Sequence, residues 1–309
     1  MKKLLLALIV ISFIQSCASV QSIEKTDNLL LDRKGWKINE IEDGITHYEF
    51  PSQYYHAFKS YQNVNVLAIH PQHNKYKIDF TEINPRDSIS AVGNKNEKAI
   101  FAINGTYYEK NANAGNSTSY FKTKNQLIDS VQVKPGTLYY WKHEGAFYMT
   151  NEKVGIVRGN NKTYNDLNAA NIMSGSPLLI ENYHPSGLHF TRNIVENLND
   201  LNYENPDRHQ GVRHPRTAVA IMPNNVVLFI AVDGRNDKAA GMSAKELTEF
   251  LITYFNPKDA LNIDGGGSTT FWLRNDKRSK TGVINYPTDN KKFDHNGQRR
   301  VRNGFMIVE

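Results

Sequence analysis

The residues able to do chemistry sit in short polar stretches that interrupt apolar runs. The densest is Asn262-Ile263-Asp264-Gly265-Gly266-Gly267-Ser268-Thr269-Thr270. Three successive glycines permit positive φ and leave peptide N–H groups uncovered, an arrangement that can hold an anion. Ser268 and Thr269 add hydroxyl donors, and Asp264 at the lip supplies a carboxylate to act on whatever is held. Taken alone the stretch also reads as a tight turn with a capping aspartate. It lacks the lysine of a phosphate-binding Walker loop, and Thr270 stands where a G-x-S-x-G elbow needs glycine.

Three further stretches are of the same kind. Arg213-His214-Pro215-Arg216-Thr217 offers two guanidinium groups suited to phosphate or carboxylate, or is a solvated basic loop. Asp233-Gly234-Arg235 puts a carboxylate and a guanidinium at the end of an apolar run, or is a turn with an internal ion pair. Asn104-Gly105-Thr106-Tyr107-Tyr108 suits a sugar, with an amide for hydroxyls and flat rings for the pyranose face. Its alternative is core aromatics beside a turn. The ten histidines show no H-E-x-x-H or other metal spacing, and His184 and His214 read singly as surface or packing residues.

Each stretch borders an apolar run, as a scaffold strand would present it. Alternation predicts strands at 64–68 and 76–80, joined as a hairpin through the turn-like Pro71-Gln72-His73-Asn74. Residues 99–103 form a short apolar run, and 131–141 a broken β-like stretch. The clearest hairpin joins 217–222 to 226–232 through Pro223-Asn224-Asn225, with arms so apolar that both faces of the sheet should be covered. Ser243-Ala244-Lys245-Glu246 is a capping box. Leu247, Phe250, Leu251 and Tyr254 follow at helical spacing until Asn256-Pro257. Strands are expected again at 260–263, 269–273 and 304–308. Strands dominate and helices are few, so the class is α+β, with one domain over residues 35–309.

With 39% hydrophobic and 22% charged residues, the 309-residue chain is neither collagen, coiled coil nor mainly disordered. Its single cysteine excludes a disulfide framework and a multi-cysteine metal cluster. That cysteine, Cys17, follows Lys2, Lys3, an apolar run at 4–13 and Ser16, a pattern that resembles the lipobox of bacterial lipoproteins. The run is short for a bilayer span. The expectation is a signal peptide at 1–16, a lipidated Cys17 anchoring the chain to the membrane, and a tether at 17–34. The place is the cell envelope, on its periplasmic or surface face. A plain signal peptide cut elsewhere is the alternative. A net charge of only +6 on an exported chain argues against nucleic acid as a partner.

Taken together, these stretches resemble the phosphodiester glycosidase family. The matching segments are A-I-N-G-T-Y-Y from Ala102, S-G-S-P-L-L from Ser174, R-H-P-R-T-A from Arg213, V-D-G-R from Val232, G-M-S-A-K-E-L from Gly241, N-I-D-G-G-G-S-T-T from Asn262 and V-R-N-G from Val301. Thr106 and Ser176 depart from the family's usual glycines. The resemblance implies a mixed α+β fold about a central twisted sheet, and release of a sugar from a sugar-1-phosphodiester substrate. Its site would use Gly265, Gly266, Gly267, Ser268, Thr269, Arg213, His214, Arg216 and Arg235 for the phosphate. Asn104 and Tyr107 would contact the sugar, with Asp264 and Asp233 as catalytic carboxylates. A phosphate diester leaves as an already acidic group, so one carboxylate can suffice. No cofactor is demanded. Two alternatives stand beside this reading: P–O cleavage by a divalent cation on Asp264 and Asp233, and a non-catalytic envelope lipoprotein that binds anionic glycans.

Overall fold

Two largely apolar, fully buried arms late in the chain set the architecture. The computed structural model describes residues 29–71, 75–108, 117–151, 153–187 and 197–309. The expected signal peptide, Cys17 and most of the tether lie outside the described residues. The strands are β1 (Lys37–Glu42), β2 (Ile45–Tyr55), β3 (Ser60–Ile69), β4 (Lys77–Asp87), β5 (Ala99–Asn104), β6 (Phe121–Thr123), β7 (Gln126–Asp129) and β8 (Gly145–Met149). They continue with β9 (Val154–Arg158), β10 (Asn171–Gly175), β11 (Leu178–Ile180), β12 (Arg216–Ile221), β13 (Val227–Val232), β14 (Asp259–Asn262), β15 (Phe271–Leu273) and β16 (Val301–Val308). The helices are α1 (Ile89–Lys95), α2 (Asn161–Asp166), α3 (Pro206–Gly211) and α4 (Ala244–Tyr254).

The arms are β12 and β13, paired antiparallel from Arg216↔Val232 to Ile221↔Val227, with every residue buried. They lie inside a seven-stranded sheet of order β1-β2-β3-β13-β12-β14-β11. Alternation sends Ala218, Ala220, Leu228 and Ile230 to one face, where Leu247, Phe250 and Leu251 of α4 cover them. Val219, Ile221, Phe229 and Ala231 go to the other. There they meet a four-stranded sheet (β15-β5-β16-β4) and a five-stranded sheet (β7-β6-β10-β8-β9). Phe229 packs its ring 5.6 Å from Phe101 and 5.2 Å from Phe305. A fully buried phenylalanine contributes about 1.5–3 kcal/mol, so this double burial, predicted by the apolar arms, fixes the strand ends that carry the site.

The fold is α+β, as the sequence implied, and all strand pairs in the three sheets are antiparallel. The Ser243 capping box forms: its hydroxyl accepts from Glu246 N, and Glu246 accepts from Ser243 N. Two expectations are corrected. Residues 64–68 and 76–80 are strands but not partners, because β3 pairs with β2 and β13 while β4 pairs with β16. Alternation reports a half-buried strand and carries no information about its neighbour. The stretch 131–141 is irregular, ending in a 3-10 turn at Tyr140–His143. Several of its residues, Tyr139 among them, line the cavity described next. At the start of the described chain, Leu30 is buried and Leu31 N donates to Tyr254 O at 2.9 Å, so residues at the end of the expected tether pack on α4.

Candidate active site

The loop after β14 is pinned by its backbone. Asp264 N donates to Gly105 O at 3.2 Å, and Asn104 Nδ2 donates to Asp264 O at 2.8 Å. Gly266 sits at φ +63, in the left-handed region that favours glycine, and its N–H reaches Pro215 O at 2.8 Å. A Cβ on Gly267 would fall 1.7 Å from Asp289 Oδ1, so only glycine lets the Asp289 carboxylate lie over the loop. The glycines thus allow close packing, and the loop spends its amides internally: Ser268 N donates to Gly265 O, and Thr269 N to Gly266 O. The open anion nest expected from the sequence is therefore largely closed.

A cavity of about 900 Å³ lies against this loop, with Asp264, Gly265 and Gly266 in its wall. Burial pushes the Asp264 carboxyl above the usual carboxylate range. The Ser268 hydroxyl, beside it but outside hydrogen-bonding geometry, together with Arg299 and Lys142, opposes that rise. Arg299 also lines the cavity, clamped by two bonds of 2.7 Å each to Asp289. Lys142 pairs with Glu204 at 2.6 Å and lies 5.2 Å from the Tyr107 ring centroid. Tyr107 is buried, donating its hydroxyl to Ser176 O at 2.9 Å. Burial and then the Asp264 charge hold its phenol well above the ordinary range.

A second group faces the same space. His209, on α3, and His214, just before β12, have ring centroids 5.6 Å apart. Both are only 8% exposed, yet His209 Nδ1 and both ring nitrogens of His214 have no hydrogen-bond partner. Trp141 packs 4.7 Å from His209. Burial, then Arg216, Arg235 and Arg208, hold the His214 imidazole down to about 3. Burial, then Arg216, His214, Lys142 and Arg235, hold His209 well below its usual value. Both rings are neutral at neutral pH.

Of the residues expected in the site, Asp264, Gly265, Gly266, Tyr107 and His214 line the cavity. The others do not line it. Asp233 is buried elsewhere, its oxygens accepting from Asn63 Nδ2 (2.7 Å), Asn285 Nδ2 (2.8 Å) and Tyr286 N (3.0 Å). Burial pushes its carboxyl up to about 6. Asn104 is fully buried and accepts from Thr217 Oγ1 and Thr270 N, which makes it a brace for the Asp264 loop. Arg213 is held by Glu246 and by Phe58 O. Arg216 is buried and spends its donors on Met242 O, His209 O and Val212 O, so it lends charge from behind the imidazoles. Thr269 accepts from Thr217 Oγ1, and Gly267 and Ser268 pack behind the cavity wall. Arg235 is exposed and donates to the Tyr203 hydroxyl at 3.0 Å, lining an adjoining groove with Asp289 and Lys291. His209, Lys142, Glu204, Tyr203 and Arg299 were not foreseen. They lie on loops and short helices, where no apolar run points to them.

An antiparallel α+β scaffold that sets a half-buried carboxylate beside cations, imidazoles and aromatic rings defines a class of site suited to a small polar anion. A sequence profile of the phosphodiester glycosidase family matches residues 97–308, and the chain belongs to that family. Among solved structures it is similar to the catalytic domain of zebrafish N-acetylglucosamine-1-phosphodiester alpha-N-acetylglucosaminidase, auto-inhibited by its pro-peptide. That similarity has 17% identity and a TM-score of 0.60, covering 89% of this chain and 84% of that one. It is also similar to a protein from Synechocystis, at 16% identity and a TM-score of 0.54, covering 89% of this chain and 64% of that one. At such identities the likeness is one of fold. A search of curated protein sequences returned no match.

Proposed function

We propose that the chain hydrolyses sugar-1-phosphodiesters at this cavity, releasing the sugar, with Asp264 as the catalytic carboxylate. The observation that carries the reading is that the cavity offers one carboxylate without an ion pair. The other carboxylate in its wall, Glu204, is tied to Lys142. An ordinary glycosidase needs two carboxyl groups, one of them to protonate an alkoxide-like leaving group. A phosphodiester leaves as a stable anion, so a nucleophile or base plus electrostatic support of the departing phosphate is enough. Asp264 serves as the nucleophile or base, and the surrounding cations receive the developing negative charge. Tyr107 and Tyr108, both in the cavity wall beside Asp264, offer flat apolar surface for the pyranose. Family membership supports the same substrate class.

The metal-dependent alternative loses its donor pair, since Asp233 does not line the cavity with Asp264. Among the described residues, no group of three or more His, Cys, Asp or Glu side chains is arranged to hold a metal ion. Turnover of a sugar-1-phosphodiester in 18O-labelled water tests the reading. Label in the sugar is expected. Label in the phosphate means P–O cleavage and overturns it. Export and lipidation at Cys17 belong to the same proposal, supported by the basic, apolar and small-residue pattern before that cysteine. Incorporation of labelled fatty acid that Cys17→Ser abolishes is the expected result, and undiminished labelling refutes the anchor.

A further inference from the structure

The neutral imidazole pair has no role in the scaffold's own hydrogen bonding. His209 and His214 line the cavity and are more than nine-tenths buried, and three of their ring nitrogens are buried without a partner. Orphaned polar atoms of this kind are costly unless a ligand or water satisfies them. The charges that act on them are all positive. Arg216 lies buried behind both rings, and Arg235 reaches in beside Tyr203. Arg208, on α3, covers the Tyr203 ring at 5.0 Å and has a buried Nε without a partner. Lys142, from the 3-10 turn, acts on His209. The nearby carboxylates are Glu204, paired with Lys142, and Asp264, whose charge acts on Tyr107. Tyr107 also feels Arg216.

We propose that the substrate's phosphodiester anion is held at the His209–His214 pair, with the Gly-rich loop serving to position Asp264. Substrate identity here rests on the function proposed above; the anion site itself does not. A neutral imidazole donates one N–H to a phosphate oxygen, and the cations behind it supply attraction without being consumed as donors. Arg216 and Arg235 repel one another, so a bound anion offsets that repulsion. It also raises the affinity of the rings for a proton, because the positive field that opposed protonation is offset.

The test uses dimethyl phosphate, an anionic diester with no sugar and no titration near neutrality, followed by the imidazole 15N and 1H resonances of the whole protein. Saturable shifts at His209 and His214 are expected, with both rings titrating at higher pH when the probe is bound. His209→Phe and His214→Phe keep a ring in the packing and remove the nitrogens. Each should weaken binding about tenfold or more, as loss of a charge-assisted bond does. Arg235→Gln, at an exposed position, should weaken it several-fold without disturbing the core. The exposed variant and the wild-type titration decide the matter if the buried variants fail to fold. No binding, or binding that leaves both rings unmoved and survives Arg235→Gln, overturns the site. Turnover of a sugar-1-phosphodiester with silent rings removes this inference alone. Ring shifts without turnover on any such diester keep the anion site and remove the proposed reaction.

Discussion

Asp233 directly follows β13 and Asp264 lies two residues beyond β14, so both leave buried strands of one sheet. Burial raises both carboxyls above the ordinary range. Their surroundings differ in one respect. Asp233 has its oxygens occupied by Asn63, Asn285 and the Tyr286 amide, which fasten β3 and the loop after β15 to the sheet. Asp264 is held through its backbone, by Gly105 O and Asn104, and its carboxyl lines the cavity without an ion pair, near the Gly265 N–H and the Ser268 hydroxyl. A carboxylate at a strand end becomes available for chemistry only when the scaffold does not spend its lone pairs. Sequence pattern does not distinguish the two cases.

The largest expected effect is on Asp264. Asp264→Asn should lower kcat/KM by about 10³-fold or more, with little change in thermal midpoint. Turnover near the wild-type level would erase the distinction between the two carboxylates. Asp233→Ala strands three buried donors, so urea unfolding should show a loss of about 2–4 kcal/mol. Activity per folded molecule should persist; the opposite result, stability kept and activity gone, would exchange their roles.

A third measurement concerns pH. Asp233 titrates at about 6 in the fold, against 3.8 for an ordinary aspartate. Its contribution to stability is therefore fullest below 3.8 and is lost as pH rises through 6. His47 and His214, held down to about 4 and about 3, have the opposite sign: their contribution is full above 6.5 and lost as pH falls. Stability should drop on acidification from pH 6.5 to 4, and more steeply in Asp233→Ala, where the opposing carboxyl is gone. Equal slopes in urea-midpoint plots would contradict this account of Asp233. The smallest effect is on the pH profile. Arg299 lowers the Asp264 pKa, so Arg299→Gln should move the acid limb of kcat/KM to higher pH, by less than about one unit. An unmoved limb would mean that the titrating group is not Asp264.

The β12–β13 hairpin, α4 with its cap, and the Gly-rich turn were legible because each is specified locally, by alternation, helical spacing or backbone freedom. The false hairpin between 64–68 and 76–80 shows the limit, since strand pairing is settled by what covers each face. In the site, Asp264, Gly265, Gly266, Tyr107 and His214 were visible as polar residues breaking apolar runs. His209, Lys142, Glu204 and Arg299 were not, because they reach the cavity from segments that carry no periodic pattern.

The sequence by itself determined an α+β chain of the phosphodiester glycosidase family, along with the short segments from which a site would be drawn. Those features are local, written in periodicity, caps and glycine runs. Only the tertiary structure decided which carboxylate stays free, which arginines are tied down and which imidazoles are left unpaired. Those outcomes depend on hydrogen-bond partners and burial supplied by residues as far apart in the chain as Asn63 and Asn285 from Asp233, or Arg216 and Tyr107 from one another.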